Sequence, residues 1–218
     1  MSHPAQTRLP IRFYSTSLSG HGHRVHLFLS LLDLPFEIIE VDVAEGANRS
    51  AAFLALNPFG QIPVIDDNGT VLSDSNAILV YLAKRYGGGA WLPDDAHGAA
   101  SVQRWLSLAA GQIAYGPCAA RLVTLFGAAL NLETAQAIAL RLFTVLEAEF
   151  AASGQPFAAG ADATIADVAA YAYIAHAPEG GITLQPYPHL RAWLRRVEGL
   201  PRFVAMPSSR VGLLALSY

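Results

Sequence analysis

The chain of 218 residues holds a single cysteine, Cys118, which excludes an internal disulfide framework and any Cys-x-x-Cys redox centre. Charge is scarce as well. Only 14% of residues are charged and the net charge is −3, so there is neither a basic field for nucleic acid nor a polybasic patch for an anionic membrane. Long apolar runs are missing: a stretch such as Val168 to Ala175 falls far short of the ~20 residues a membrane helix needs. Met1 to Pro10 lacks the apolar centre of a secretory signal, so a cytoplasmic location is expected. No internal repeat and no low-complexity tract interrupts the chain. What remains is 53% hydrophobic, ample for one large or two modest cores. The expected partner is a small molecule or another protein chain.

From Ile11 to Tyr86 strand and helix signals alternate: Ile11 to Ser15 extended, His21 to Leu32 helical, Phe36 to Val41 extended, Arg49 to Leu56 helical, Gln61 to Ile65 and Thr70 to Leu72 extended, Asp74 to Tyr86 helical. That order argues for a mixed sheet flanked by helices. Gly87-Gly88-Gly89 ends the last helix, and Trp91 and Leu92 in the linker that follows are expected to dock between domains. Beyond it only helical periodicity is convincing, in His97 to Phe126, Glu133 to Ala152, Ile165 to Ala177 and Pro188 to Val197. The expected division is a first domain over 11–86, a linker over 87–96 and an all-helical domain over 97–218.

The most informative local feature is Asn57-Pro58-Phe59-Gly60-Gln61-Ile62-Pro63-Val64-Ile65, followed by Asp74-Ser75 at a helix start. A proline opening a buried strand is out of place in a regular ladder. A cis Ile62–Pro63 bond would account for it and leave the Ile62 backbone free to pair with an extended ligand. Asn68-Gly69 turns the chain back as a hairpin. The Ser73 to Asn76 hydroxyls and free helix N–H groups then form a natural anion site. Together these look built to grip a small peptide by its backbone and a carboxylate.

With these residues the chain resembles the glutathione S-transferases, over almost its whole length. The resemblance implies a thioredoxin-like N-terminal domain with a mixed four-stranded sheet and a helical C-terminal domain. It also implies glutathione as co-substrate, an apolar electrophile as partner and a homodimer. Ile62 and Pro63 then face the cysteinyl backbone, and Asp74 and Ser75 the γ-glutamyl end. In the serine-type, phi-like pattern, matching Tyr14 and Arg24-Val25 places the activating hydroxyl at Ser19, with Ser17 and Ser15 as fallbacks and Tyr14 as the tyrosine-type alternative. Asn48 and Arg49 match the pair that takes the glycyl carboxylate, and Gln61 is a further donor. The same fold also serves glutathione-dependent peroxidases, isomerases and non-catalytic binding modules.

The chemistry is expected where the first strand meets the first helix, since ligands of open α/β sheets bind beyond strand carboxyl ends and a helix start favours an anion such as a thiolate. His21, His23 and His26 lie close in sequence, but only His23 and His26 share neighbouring helix faces, and no carboxylate or cysteine accompanies them. No metal is expected; His21 or His23 is read as an extra donor in the thiol pocket. Trp105, Gln112, Tyr115 and Arg121 lie on the long helix around Gly116-Pro117, where proline should introduce a bend. Gln112, Tyr115 and Arg121 are therefore candidates for the electrophile pocket. Thr164 and Asp167 form a capping box and are assigned to folding. Phe59 is the candidate dimer contact.

Overall fold

The computed structural model describes residues 9–209. Residues 1–8 and 210–218, which include part of the expected helical domain and most of the stretch examined for a secretory signal, lie outside them. Four strands form one sheet: β1 (Ile11–Ser15), β2 (Phe36–Glu40), β3 (Val64–Asp67) and β4 (Thr70–Ser73), in the order β2-β1-β3-β4. β1 pairs parallel with β2, Ile11 opposite Phe36, and antiparallel with β3, Tyr14 opposite Val64. The β3–β4 hairpin turns at Asn68 (φ 52°) and Gly69 (φ 93°), the two positive φ values that a tight two-residue turn requires. β3 starts at Val64 rather than at Gln61, because Val64 is the first residue matched to β1. Ile62 therefore stands ahead of the paired register, and the Ile62–Pro63 bond is cis.

Helices α1 (Gly20–Leu31) and α3 (Ser75–Tyr86) cover one face of the sheet, and α2 (Ala51–Leu56) belongs to a smaller core of Tyr14, Val41, Phe53 and Val64. The expected helix over Arg49 to Leu56 divides: a 3-10 turn spans Ala47–Arg49, and Ser50 caps α2 by accepting from Phe53 N. Beyond α3 every regular element among the described residues is helical: α4 (Ala96–Ala110), α5 (Ala119–Phe126), α6 (Leu132–Ser153), α7 (Ile165–Ala175) and α8 (Pro188–Glu198). The expected continuous helix from His97 to Phe126 is broken at Gly111, and the chain widens into a π-helical turn at Ala114–Cys118 around Pro117. A proline has no N–H to donate, so the ladder must be re-routed there.

The large core runs through both halves, from Phe28 and Leu79 under the sheet to Trp105, Phe143, Val168 and Trp193 among the helices. Trp91 closes the join as expected. Its ring meets Phe28 edge-on at 5.2 Å, and its carbonyl accepts from Ile165 N at 3.0 Å. Asp67 ties hairpin to helix by accepting from the Tyr81 hydroxyl at 2.8 Å and from that of Tyr86.

Candidate functional site

A cavity of about 760 Å³ opens beyond the carboxyl end of β1, walled by residues 16–21, 42–44, 48–49, 60–63, 74–75, Arg121, Leu122, Phe126 and Tyr173. Its floor is the start of α1. Ser19 caps that helix, its Oγ accepting from Gly22 N at 3.0 Å. An oxygen that accepts at a cap keeps its own hydrogen, so capping and donation to a ligand are compatible in this one side chain. The loop ahead of Ser19 is held from two sides. Glu40 accepts from Thr16 Oγ1 at 2.8 Å and Ser17 N at 3.3 Å, while Arg121 Nη1 donates to the Leu18 carbonyl at 2.8 Å. Arg121 is itself paired with buried Glu179. Burial opposes the charge on Glu179, yet hydrogen bonds from Ser209 and Arg121 hold its carboxyl below the usual range.

Close packing at the helix start explains the glycines in Gly20-His21-Gly22. A Cβ at Gly20 would fall 2.6 Å from the Tyr173 ring, and one at Gly22 would fall 1.9 Å from Ser15 Oγ. Only glycine permits that approach. The Tyr173 hydroxyl accepts from His21 N at 3.2 Å, placing α7 against the first turn of α1.

At one end of the cavity, Asp74 caps α3 by accepting from Ala77 N at 2.9 Å, with φ 69° and ψ 120°. Such a backbone is costly for a residue with a side chain and is typical of functional positions. Ser75 beside it is buried, and its Oγ accepts from Arg24 Nη1 at 3.2 Å. At the other end, Asn48 Nδ2 donates to the Gly60 carbonyl at 2.7 Å, and Arg49 Nη1 lies 3.4 Å from the Phe59 carbonyl. Asn48 is thus engaged in shaping the loop, while Arg49 and the exposed Gln61 keep donors toward solvent. Val43, Leu122 and Phe126 supply an apolar side.

Ser17, Ser19, His21, Asn48, Arg49, Gln61, Ile62, Pro63, Asp74, Ser75 and Arg121 all line this one cavity. Several other candidates do not. Tyr14 is buried against Phe53, rings edge-on at 6.4 Å, as core packing of a central strand demands. His23 is buried and donates through Nε2 to the Val204 carbonyl at 2.8 Å; burial, with Val204 opposing and His26 and His176 adding to it, lowers its imidazole to about 4. It therefore serves as a tie to the C-terminal segment. Gln112 and Tyr115 fall on the exposed outer side of the widened turn, away from the cavity lining. Phe59 is 74% exposed at the tip of its loop. The three clustered histidines diverge: His21 bonds Arg24, His23 bonds Val204 and His26 packs on Phe13 and Phe36. Among the described residues no group of three or more His, Cys, Asp or Glu is placed to hold a metal ion. Cys118 is buried, and burial pushes its thiol up. Tyr173, Leu122, Phe126 and Val43 were missed from sequence; of these only Tyr173 had a signal, the paired glycines that demand a close neighbour.

The model of the glutathione S-transferase N-terminal domain matches residues 18–85, and that of the C-terminal domain matches residues 127–201. Glutathione S-transferase 3 of Zea mays is 34% identical over 208 residues, covering 89% of this chain and 91% of the relative. The chain belongs to the glutathione S-transferase family. A glutathione S-transferase structure from Pseudomonas fluorescens superposes with a TM-score of 0.85 at 33% identity, covering 92% of this chain and all (100%) of the other. The disulfide-bond oxidoreductase YfcG of Escherichia coli is 28% identical over 193 residues, covering 83% of this chain and 87% of the relative. Within the glutathione S-transferase family the β2-β1-β3-β4 sheet is the thioredoxin-like half and α4 to α8 are the helical half.

Proposed function

We propose that this chain is a serine-type, phi-like glutathione transferase, in which the Ser19 hydroxyl stabilises the glutathione thiolate for attack on a small apolar electrophile. The observation that carries the reading is that, among the described residues, Ser19 Oγ accepts only at the helix cap, leaving its hydrogen to donate, on a cavity it shares with Ile62 and Ser75. Residues 11–86 hold the peptide: Ile62 pairs its cysteinyl backbone, Asp74 and Ser75 its γ-glutamyl end, Arg49 and Gln61 its glycyl carboxylate. Residues 97–218 contribute the electrophile side through Leu122 and Phe126, with Arg121 bracing the loop.

A free thiol has a pKa of about 8.5 and only the thiolate attacks well. A donated hydrogen bond and the positive end of α1 both favour the thiolate. Holding that sulfur beside the electrophile raises effective concentration with no covalent protein intermediate. Glutathione is the co-substrate and no resident metal is assigned. A homodimer in the cytoplasm, with Phe59 inserted in its partner, completes the reading; no helix among the described residues is long and apolar enough to cross a membrane.

The test is the ultraviolet absorbance of bound thiolate titrated against pH. Ser19→Ala should raise the bound thiol toward about 8.5, whereas Ser17→Ala and Tyr14→Phe should leave it in place. Ser19→Gly separates chemistry from capping, because glycine sacrifices only a few tenths of a kcal/mol at an N-cap. A thiol shift in Ser19→Ala without one in Ser19→Gly would reject the donor role. Conjugation of an aryl halide, measured beside glutathione binding, distinguishes a transferase from a binding module.

A further inference from the structure

Arg24 is 1% exposed, and among the described residues its only hydrogen bonds run from Nη1: to His21 Nδ1 at 3.0 Å and to Ser75 Oγ at 3.2 Å. Nε and Nη2 are buried without partners, and the guanidinium lies over the Tyr173 ring at 5.3 Å. Guanidinium is a donor only. Nδ1 of His21 must therefore be the unprotonated acceptor, and the ring's hydrogen sits on Nε2. The same logic applies to Ser75, whose oxygen accepts from Arg24. Its hydroxyl hydrogen points elsewhere, because the single in-plane lone pair of Nδ1 is already taken by the closer guanidinium. Burial and the Arg24 charge lower the His21 imidazole to about 3, so the ring is neutral. Its edge contact with Tyr173, centroids 5.0 Å apart, fixes its plane. Nε2 has no partner among the described residues, is not sealed from solvent, and belongs to a ring that lines the cavity.

We propose that His21 is a second side-chain donor to the γ-glutamyl carboxylate, held as its Nε2–H tautomer by Arg24, so that one buried guanidinium aims two hydrogens, from Ser75 Oγ and His21 Nε2, at one anion. Arg24 is the positioning residue and His21 the contact. Nδ1 lies 3.3 Å from Ser75 Oγ, which places the ring at the carboxylate end of the cavity. The proposal rests on the glutathione reading.

Two peptides test it by calorimetry: glutathione, and 4-aminobutanoyl-Cys-Gly, which lacks only the γ-glutamyl α-carboxylate. His21→Phe should weaken glutathione binding about 10- to 100-fold, the loss of one charge-assisted hydrogen bond. It should leave the truncated peptide's affinity unchanged and the bound thiol's pKa in place. His21→Gln, whose amide can donate, should recover most of the affinity. Nitrogen-resolved NMR of the wild-type imidazole gives a readout independent of any variant's folding: Nε2 should carry the hydrogen, and its proton should shift when glutathione binds but not with the truncated peptide. A protonated Nδ1, an equal loss for both peptides, or a thiol pKa that moves with His21→Phe would overturn the proposal. Failure of the wild type to bind either peptide would overturn the glutathione reading and this proposal with it. Binding by wild type with an unchanged dissociation constant in His21→Phe would overturn this proposal alone.

Discussion

Asp167 and Arg24 are buried to nearly the same depth, 0% and 1% exposed, and the protein surrounds them in opposite ways. Asp167 Oδ1 accepts from Ala158 N and Trp193 Nε1, both at 2.8 Å, and Oδ2 from Thr164 N at 2.9 Å and more weakly from Thr164 Oγ1 at 3.4 Å. Every lone pair facing the interior is met, joining α7 to α8 and to the loop before α7. Arg24 is left with two unpartnered nitrogens among the described residues and no carboxylate in hydrogen-bond contact. A buried charge whose partners all come from the chain belongs to folding. Arg24, left short, lies behind the cavity, and its one engaged nitrogen holds His21 and Ser75, which line it.

The comparison breaks first, if at all, on stability. Asp167→Ala strands at least three buried donors, each costing about 1–3 kcal/mol, and should destabilise the protein by roughly 3 kcal/mol or more, lowering Tm by about 6–12 °C. A calorimetric Tm within a degree of wild type would remove Asp167 from the folding side.

Arg24→Met should do the reverse. Replacing an uncompensated buried charge by an apolar side chain of similar volume is neutral or stabilising, so the unliganded Tm should hold or rise. Glutathione affinity should fall about 100-fold, roughly 2.7 kcal/mol, as both donors lose their orientation. Should Arg24→Met unfold as readily as Asp167→Ala, the two residues are alike and the contrast fails.

Phe59 extends the contrast to apolar groups: it is an aromatic left 74% exposed at its loop tip, for which the proposed dimer would supply the partner. Phe59→Ser should weaken dimer association by about 2 kcal/mol, the scale of an interface hot spot. Sedimentation equilibrium unchanged by the substitution would make Phe59 merely a loop residue.

The smallest effect is expected at Asp67, a carboxylate satisfied like Asp167 but in the first half. Burial would raise its carboxyl, and hydrogen bonds from Tyr86, Tyr81 and Asn68 override it, holding the folded value below the ordinary one. Stability from such a group is present above the unfolded pKa of about 3.9 and is lost as pH falls through the lower folded value. Asp67→Asn should cost about 1 kcal/mol near neutral pH and flatten the acid limb of the urea midpoint against pH. An acid limb as steep as wild type would show that Asp67 contributes none of it.

The parts of this molecule that were legible in its sequence are those written in neighbouring residues. The Asn57–Ile65 run, the Asn68-Gly69 turn, the caps at Ser19, Asp74 and Thr164 and the helical periods all encode local backbone preferences. The sheet, the helical half and one end of the cavity follow from them. Contacts between distant positions left no mark that names the partner. Tyr173 against Gly20, Arg121 on the Leu18 carbonyl and Asn48 turned to Gly60 are choices of tertiary packing. The same cause moved the start of β3 to Val64, where pairing with Tyr14 begins. Tyr14 shows the converse: its place in a strand suits core packing better than chemistry, and its contact with Phe53 bears that out.

The bond from Arg121 Nη1 to the Leu18 carbonyl spans 103 positions of chain, and Arg121 is in turn anchored by Glu179. A ribosome therefore releases the whole peptide-gripping half long before the brace on its reactive loop exists. A nascent or truncated chain ending ahead of Glu179 carries every proposed glutathione contact and the Glu40 side of the loop's support, but lacks the anchor of the Arg121 side. The order of synthesis thus places the contact that braces this loop among the last to form.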